Sequence, residues 1–196
     1  MKQKTNKIRN LIWIPTLVIV FGFLSAAGQA NYKQSGTLNI TIAGTSTMHD
    51  WTMTSQGGVC SSIFELNSDG APIKLNTVTV RVPAESLKSK ERAMDKNAYN
   101  SLKTDKHKDI TFQLTSSKII QKTISCIGNL TIAGTTKPIE LDVEYEERNG
   151  TLYCKGSKKI KMTEYNVEPP TFMFGAIKTG DEITVSFDVT LAQIKL

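Results

Sequence analysis

The chain has 196 residues, with 24 Lys and Arg, 18 Asp and Glu, 2 His and 3 Cys, and a formal net charge of +6 at pH 7. Its length suits one domain with a substantial core, and three cysteines are too few, and odd in number, for a disulfide scaffold. The positive balance is no footprint for nucleic acid, because much of it sits in the first few residues.

Those residues carry Lys2, Lys4, Lys7 and Arg9 and no acid. An apolar run from Leu11 to Leu24 follows, then the small residues Ser25, Ala26, Ala27, Gly28 and Ala30. A basic start, an apolar centre and a small-residue end make an export signal. The expected division is a signal over 1–30 and one domain over 31–196, with cleavage after Ala30, or alternatively after Ala27. An uncleaved anchor is the competing reading, disfavoured because a helical span needs about 20 apolar residues. No cysteine follows the small residues, so a lipid-modified N-terminus is not expected. Four of the 24 basic residues and none of the 18 acids lie in the signal, leaving the remainder near +2.

Beyond residue 30 the hydrophobic pattern alternates. Ile183, Val185, Phe187, Val189 and Leu191 interleave with Glu182, Thr184, Ser186, Asp188 and Thr190, and Ile139, Leu141, Val143 and Tyr145 interleave with four acids. Such alternation reads as strands with one dry and one wet face. Strands are expected over 36–43, 46–56, 58–66, 72–82, 109–118, 122–133, 138–147, 151–161 and 182–194. Turn signals lie at 67–70 and 147–150, and Ala-Gly-Thr occurs at 43–45 and 133–135. The two five-residue strings ending in those tripeptides, 41–45 and 131–135, are read as similar strand-ending turns. Eight or nine strands with one apolar face each are expected to close into a barrel or pack as a sandwich, the barrel alone removing exposed edges.

One segment breaks the period. Leu87, Met94, Ala98 and Leu102 fall at helical spacing, which predicts a short helix over 91–103. It either covers an open end of the barrel or lies on the surface with no role there.

Chemistry-bearing residues are sparse. His49 precedes Asp50, but neighbours on a strand point to opposite faces, so the expected strand 46–56 keeps them apart. His107 lies in the charged stretch Asp105-Lys-His-Lys108. Cys60, Cys126 and Cys154 are expected as small buried apolar residues, with one disulfide permitted in an oxidising compartment. No nucleophile elbow, phosphate loop or metal-ligand spacing appears. The stretch Met162–Gly175 contains Pro169-Pro170, which forbids regular structure, yet Phe172, Met173 and Phe174 are too apolar for an ordinary solvated loop. Either this loop packs over the core or it lines a cavity entrance.

Taken in order, Gly44-Thr-Ser-Thr-Met-His-Asp-Trp51, Val82-Pro-Ala-Glu-Ser-Leu-Lys-Ser89, Met94-Asp-Lys-Asn97, Gly128-Asn-Leu-Thr-Ile-Ala-Gly134, Met162–Gly175 and Gly180-Asp-Glu-Ile-Thr-Val185 resemble the YceI-like family over residues 36–194. The resemblance implies an all-β fold: an extended antiparallel, lipocalin-like barrel of about eight strands, exported to the periplasm. Its interior would hold a long apolar ligand, typically a polyisoprenoid chain such as a quinone or prenyl phosphate tail. That task needs no catalytic residue, metal or cofactor, the lipid being a ligand. The apolar inward positions expected to touch it are Trp51, Phe64, Phe112, Leu114, Leu130, Ile132, Phe172 and Phe174, each of which equally suits plain core. His49 is expected to orient backbone near Trp51 through a hydrogen bond. The expected partner is the apolar lipid, with transient contact to a membrane or membrane protein and no nucleic acid. Nothing in the sequence sets an oligomeric state. Two rival readings are a His49-centred enzyme or metal protein, and a ligand-free structural or partner-binding barrel.

Overall fold

A computed structural model of the chain describes residues 28–194. The strands are β1 (Gly28–Gln34), β2 (Asn39–Ser46), β3 (Trp51–Ser55), β4 (Val59–Leu66), β5 (Pro72–Pro83), β6 (Asp109–Ile120), β7 (Thr123–Ile132), β8 (Thr135–Arg148), β9 (Thr151–Lys161), β10 (Thr171–Phe172) and β11 (Ile177–Gln193), with one helix, α1 (Arg92–Leu102). All named pairings are antiparallel, and β1, β4, β5, β6, β7, β8, β9 and β11 form a closed ring of eight.

The ring closes twice along its height. β1 and β2 run in succession beside the long β11, pairing at Gln34↔Leu191 and then at Phe187↔Ile40. β3 and β4 continue in the same way on their other side, with Ile42↔Met53 and Tyr32↔Ser62. The barrel is thus an up-and-down meander whose first two strands each bend once. β3 meets the chain beyond β5 through a bridge in which Thr54 and Lys88 exchange both backbone bonds (2.7 and 2.8 Å). Full closure leaves no long unpaired edge.

The two ends differ. One carries only tight connections: 67–71, Gln121-Lys122 and Asn149-Gly150. At the last, both residues take positive φ (53° and 75°), as a two-residue hairpin turn requires. This base is packed solid by Tyr32, Phe64, Leu66, Leu75, Ile124, Leu152 and Leu191. The Tyr32 and Phe64 rings meet edge to face, with centroids 5.2 Å apart. The other end carries the turn 47–50, the α1 segment, the Ala133-Gly134 turn and the proline loop.

The sequence expectations for the barrel and for the helix agree with this architecture, and several details differ. The expected export signal lies outside the described residues except for 28–30, which begin β1. There Ala30 pairs with Phe64 and is 5% exposed. The expected strand 46–56 is broken by the turn 47–50, so strand alternation is not what separates His49 from Asp50. The twin strings 41–45 and 131–135 are not twin turns. Ala133 and Gly134 do turn, with φ of 48° and 78°, but Gly44 lies within β2, paired with Trp51. His107 is half-buried rather than solvated, its ring lying against Gly134. Cys60, Cys126 and Cys154 are all buried and free.

Candidate functional site

Alternation turns one face of every strand inward, so the barrel interior is built from side chains two residues apart. From β11 come Ile183, Val185, Phe187, Val189 and Leu191, and from β2 come Ile40 and Ile42. They enclose a cavity of about 500 Å³, within the range of small-molecule sites. Its floor is Phe64, Leu75, Ile124 and Leu191 at the packed base, and its roof is the inner side of α1.

Three glycines make room for rings on this surface. A side chain at Gly44 would collide with Trp51, one at Gly128 with Phe112, and one at Gly156 with Phe187. Aromatic side chains therefore lie flat over bare backbone on neighbouring strands rather than filling the lumen. Trp51 also satisfies its one polar atom locally, Nε1–H donating to the Thr45 carbonyl at 3.0 Å.

Of the eight residues expected from sequence, Trp51, Phe64, Phe112, Leu130, Ile132 and Phe172 line this one cavity. Leu114 and Phe174 do not. Leu114 precedes a register shift between β6 and β7 and packs against the cluster at the base. Phe174 follows Met173 with both residues at positive φ (50° and 57°), a reversal that sends Phe172 inward and leaves Phe174 fully exposed. Sequence reasoning missed the inward face of α1, formed by Met94, Asn97, Ala98 and Ser101, and missed the inward Cys60, Cys126, Cys154 and Lys158. The last two are legible from the period-two register of β9, Leu152, Cys154, Gly156, Lys158 and Ile160, which a charged residue obscures.

The helix is fastened from its own flanks. Asp95, almost fully buried, accepts from Ser89 N–H and Ser89 Oγ–H, both at 2.7 Å. The Tyr99 hydroxyl donates to the Leu87 carbonyl at 2.7 Å and accepts from Lys88 Nζ at 2.6 Å. Lys103 ends the helix in the left-handed region (φ 54°). Of the two readings of this helix, the structure takes the one that covers the barrel end.

The proline loop does both of the things expected of it as alternatives. Tyr165 and Val167 are buried with Met162, Ile160 and Ile183 in a second cluster near the mouth, while Pro170 and Phe172 face the cavity. Asp181 holds the start of the loop, accepting from Thr163 N–H (2.9 Å) and Thr163 Oγ–H (2.7 Å), and these bonds lower its carboxyl below the usual range.

His49 stands at the rim. Its Nδ1 lies 2.8 Å from the Asp50 carbonyl, which can only accept, so Nδ1 carries the proton. The ring thus braces the backbone immediately before Trp51. Among the described residues, no group of three or more His, Cys, Asp or Glu side chains converges as metal ligands would. The three thiols face apolar space. Burial pushes Cys60 and Cys126 up to about 11 and Cys154 up to about 12, with Cys60 and Cys126 adding to the effect on Cys154.

The profile of the YceI-like domain matches residues 25–191. The chain belongs to the YceI-like family. Among solved structures, BcnA from Burkholderia cenocepacia superposes on this YceI-like protein with a TM-score of 0.67 at 12% identity, covering 78% of this chain and 95% of its own. A polyisoprenoid-binding domain from Saccharophagus degradans gives 0.62 at 10% identity, with 83% and 98% covered. The Campylobacter jejuni YceI protein gives 0.56 at 21% identity, with 70% and 82% covered. At these identities the likeness establishes the shared barrel. No curated protein sequence matches the chain.

Proposed function

We propose that this YceI-like barrel binds and carries a long apolar ligand, a polyisoprenoid or quinone-like lipid, without catalysing a reaction on it. The observation that carries the reading is the apolar cavity of about 500 Å³ inside the closed barrel. A buried methylene is worth about 0.8 kcal/mol, so a long prenyl chain gains steadily as it enters such a space. The polyisoprenoid-binding description of the Saccharophagus degradans domain agrees with this assignment. An exported, periplasmic location fits the basic and apolar N-terminus, and cell fractionation tests it.

The mouth suits loading at a lipid surface. Met48, Met173 and Phe174 stand exposed around it. The adjoining segment 88–108 exposes seven Lys and Arg side chains against two exposed acids, Glu91 and Asp105. Apolar tips within a basic surround match the chemistry of an anionic bilayer.

Lipid extracted from the folded protein and measured by mass spectrometry is expected to contain one long-chain species near one per barrel. A clean extract, with no uptake of prenyl lipids by the purified protein, would overturn the proposal and favour a ligand-free barrel.

A further inference from the structure

Lys158 is out of place in this barrel. On β9, Lys155, Ser157, Lys159 and Lys161 are exposed, and two of these lysines are paired on the outer wall, Lys155 with Glu144 (3.1 Å) and Lys159 with Glu182 (2.9 Å). Lys158 falls on the opposite parity, between Gly156 and Ile160, and lines the cavity. It is the only Lys or Arg on the lining among the described residues. The only carboxylate on that lining, Glu91, lies at the rim just ahead of α1 and forms no ion pair with it. Opposite Lys158 on β11 stands Val185, itself paired with Ile42, so the wall on that side is aliphatic.

Depth gives this cation a role. Lys158 is three residues below the rim end of β9 at Lys161, which is roughly 10 Å along the strand at 3.3 Å per residue. Beyond it, toward the base, the inward positions of β9 are Gly156, Cys154 and Leu152, all small or apolar. A chain lying along the barrel with its tail at the base would bring its polar end to the level of Lys158. An ammonium sealed into an apolar cavity without a counter-charge costs several kcal/mol, and a neutral ligand that displaces water from it would impose that cost. A ligand carrying its own anion removes it.

Resting on the carrier reading above, we infer that Lys158 is the head-group receptor of this barrel, selecting an amphiphile whose apolar tail ends in an oxyanion over an uncharged lipid of the same tail. The oxyanion is a phosphate or a carboxylate, both of which pair with an ammonium as a charge-assisted hydrogen bond. Gly156, one inward position deeper, leaves its space to the Phe187 ring, so that the tail path below the head is walled by an aromatic face.

The test uses purified, delipidated protein and two matched pairs of probes: farnesyl phosphate against farnesol, and palmitate against hexadecanol. Dissociation constants are measured by titration calorimetry for the wild type, Lys158→Met, Lys158→Arg and the outer-wall control Lys159→Met. The wild type and Lys159→Met are expected to prefer the anionic member of at least one pair by about tenfold or more. Which pair shows the preference distinguishes phosphate from carboxylate. Lys158→Met is expected to erase the preference while retaining the alcohol, and Lys158→Arg to keep it. Equal affinities within both pairs for the wild type, a measurement that needs no variant, would overturn the head-group inference and leave the carrier reading standing. So would a preference that survives Lys158→Met. If none of the four probes binds, the head-group inference falls, and the carrier reading is decided by the lipid extracted from the folded protein.

Discussion

At the scale of single residues, the interior is a surface on which one charge or one methyl has large effects. Phe112 lies against Gly128 in the cavity wall, so Phe112→Glu places a carboxylate where only apolar atoms surround it. Lipid retention, read by mass spectrometry, is expected to fall to background while the barrel still folds, at a cost of about 3–5 kcal/mol in denaturant titration. Gly128→Ala tests the ring seat itself. The added carbon meets both the Phe112 ring and the Gln113 carbonyl oxygen, the latter at 2.7 Å, and a cost of about 1–3 kcal/mol is expected in denaturant titration. The buried thiols set an alkaline limit. Their folded-state values of about 11, 11 and 12 exceed the ordinary value near 9, so the unfolded chain releases these protons first. The stability they contribute is complete below about pH 9 and drains away as pH rises toward 11–12. Melting temperatures recorded across that window are expected to fall, and to fall less steeply in Cys154→Ala.

Among the elements, α1 and β1 carry the clearest consequences. Removing the Asp95 carboxylate leaves the Ser89 N–H and hydroxyl without their acceptor. Asp95→Ala is therefore expected to loosen the roof by about 1–2 kcal/mol, seen as faster amide exchange across 92–102 with little change in the strands. For β1, cleavage after Ala30 would cut away its first three residues, including the buried Ala30 against Phe64, whereas cleavage after Ala27 would leave it whole. Terminal sequencing of any processed form is expected to begin at Gly28. The strands with alternating patterns, β11 above all, were legible because a barrel wall with one wet face imposes a period of two. β1 was not, because Ala27, Gly28 and Ala30 satisfy the small-residue rule for a cleavage zone equally well. Gly44 was misread for a similar reason. A glycine after an alanine signals a turn locally, and only the Trp51 ring on the paired strand reveals it as a seat. Five of the eight expected residues line the cavity through strand parity and Phe172 does so from the proline loop, while Leu114 and Phe174 were lost to a bulge and to two positive φ angles, neither of which has a sequence signature.

For the whole molecule, the cavity couples stability to occupancy. A ligand that binds only the folded barrel raises its stability by about 2.7 kcal/mol at a hundredfold excess over its dissociation constant. The protein as purified is accordingly expected to melt several degrees above the same protein after organic extraction and refolding, and to recover on adding the extracted lipid. A melting temperature indifferent to extraction would argue that the interior is simply core. The barrel also has a direction. β1 starts and β11 ends at the packed base, where the Ile194 N–H donates to the Asn31 carbonyl at 2.8 Å, while every long connection lies at the other end. Anything attached through either end of the strand ring, whether an uncleaved leader, a fused domain or a surface linkage, holds the barrel by its foot. A leader kept on the chain would join the barrel at its base, the end opposite the opening.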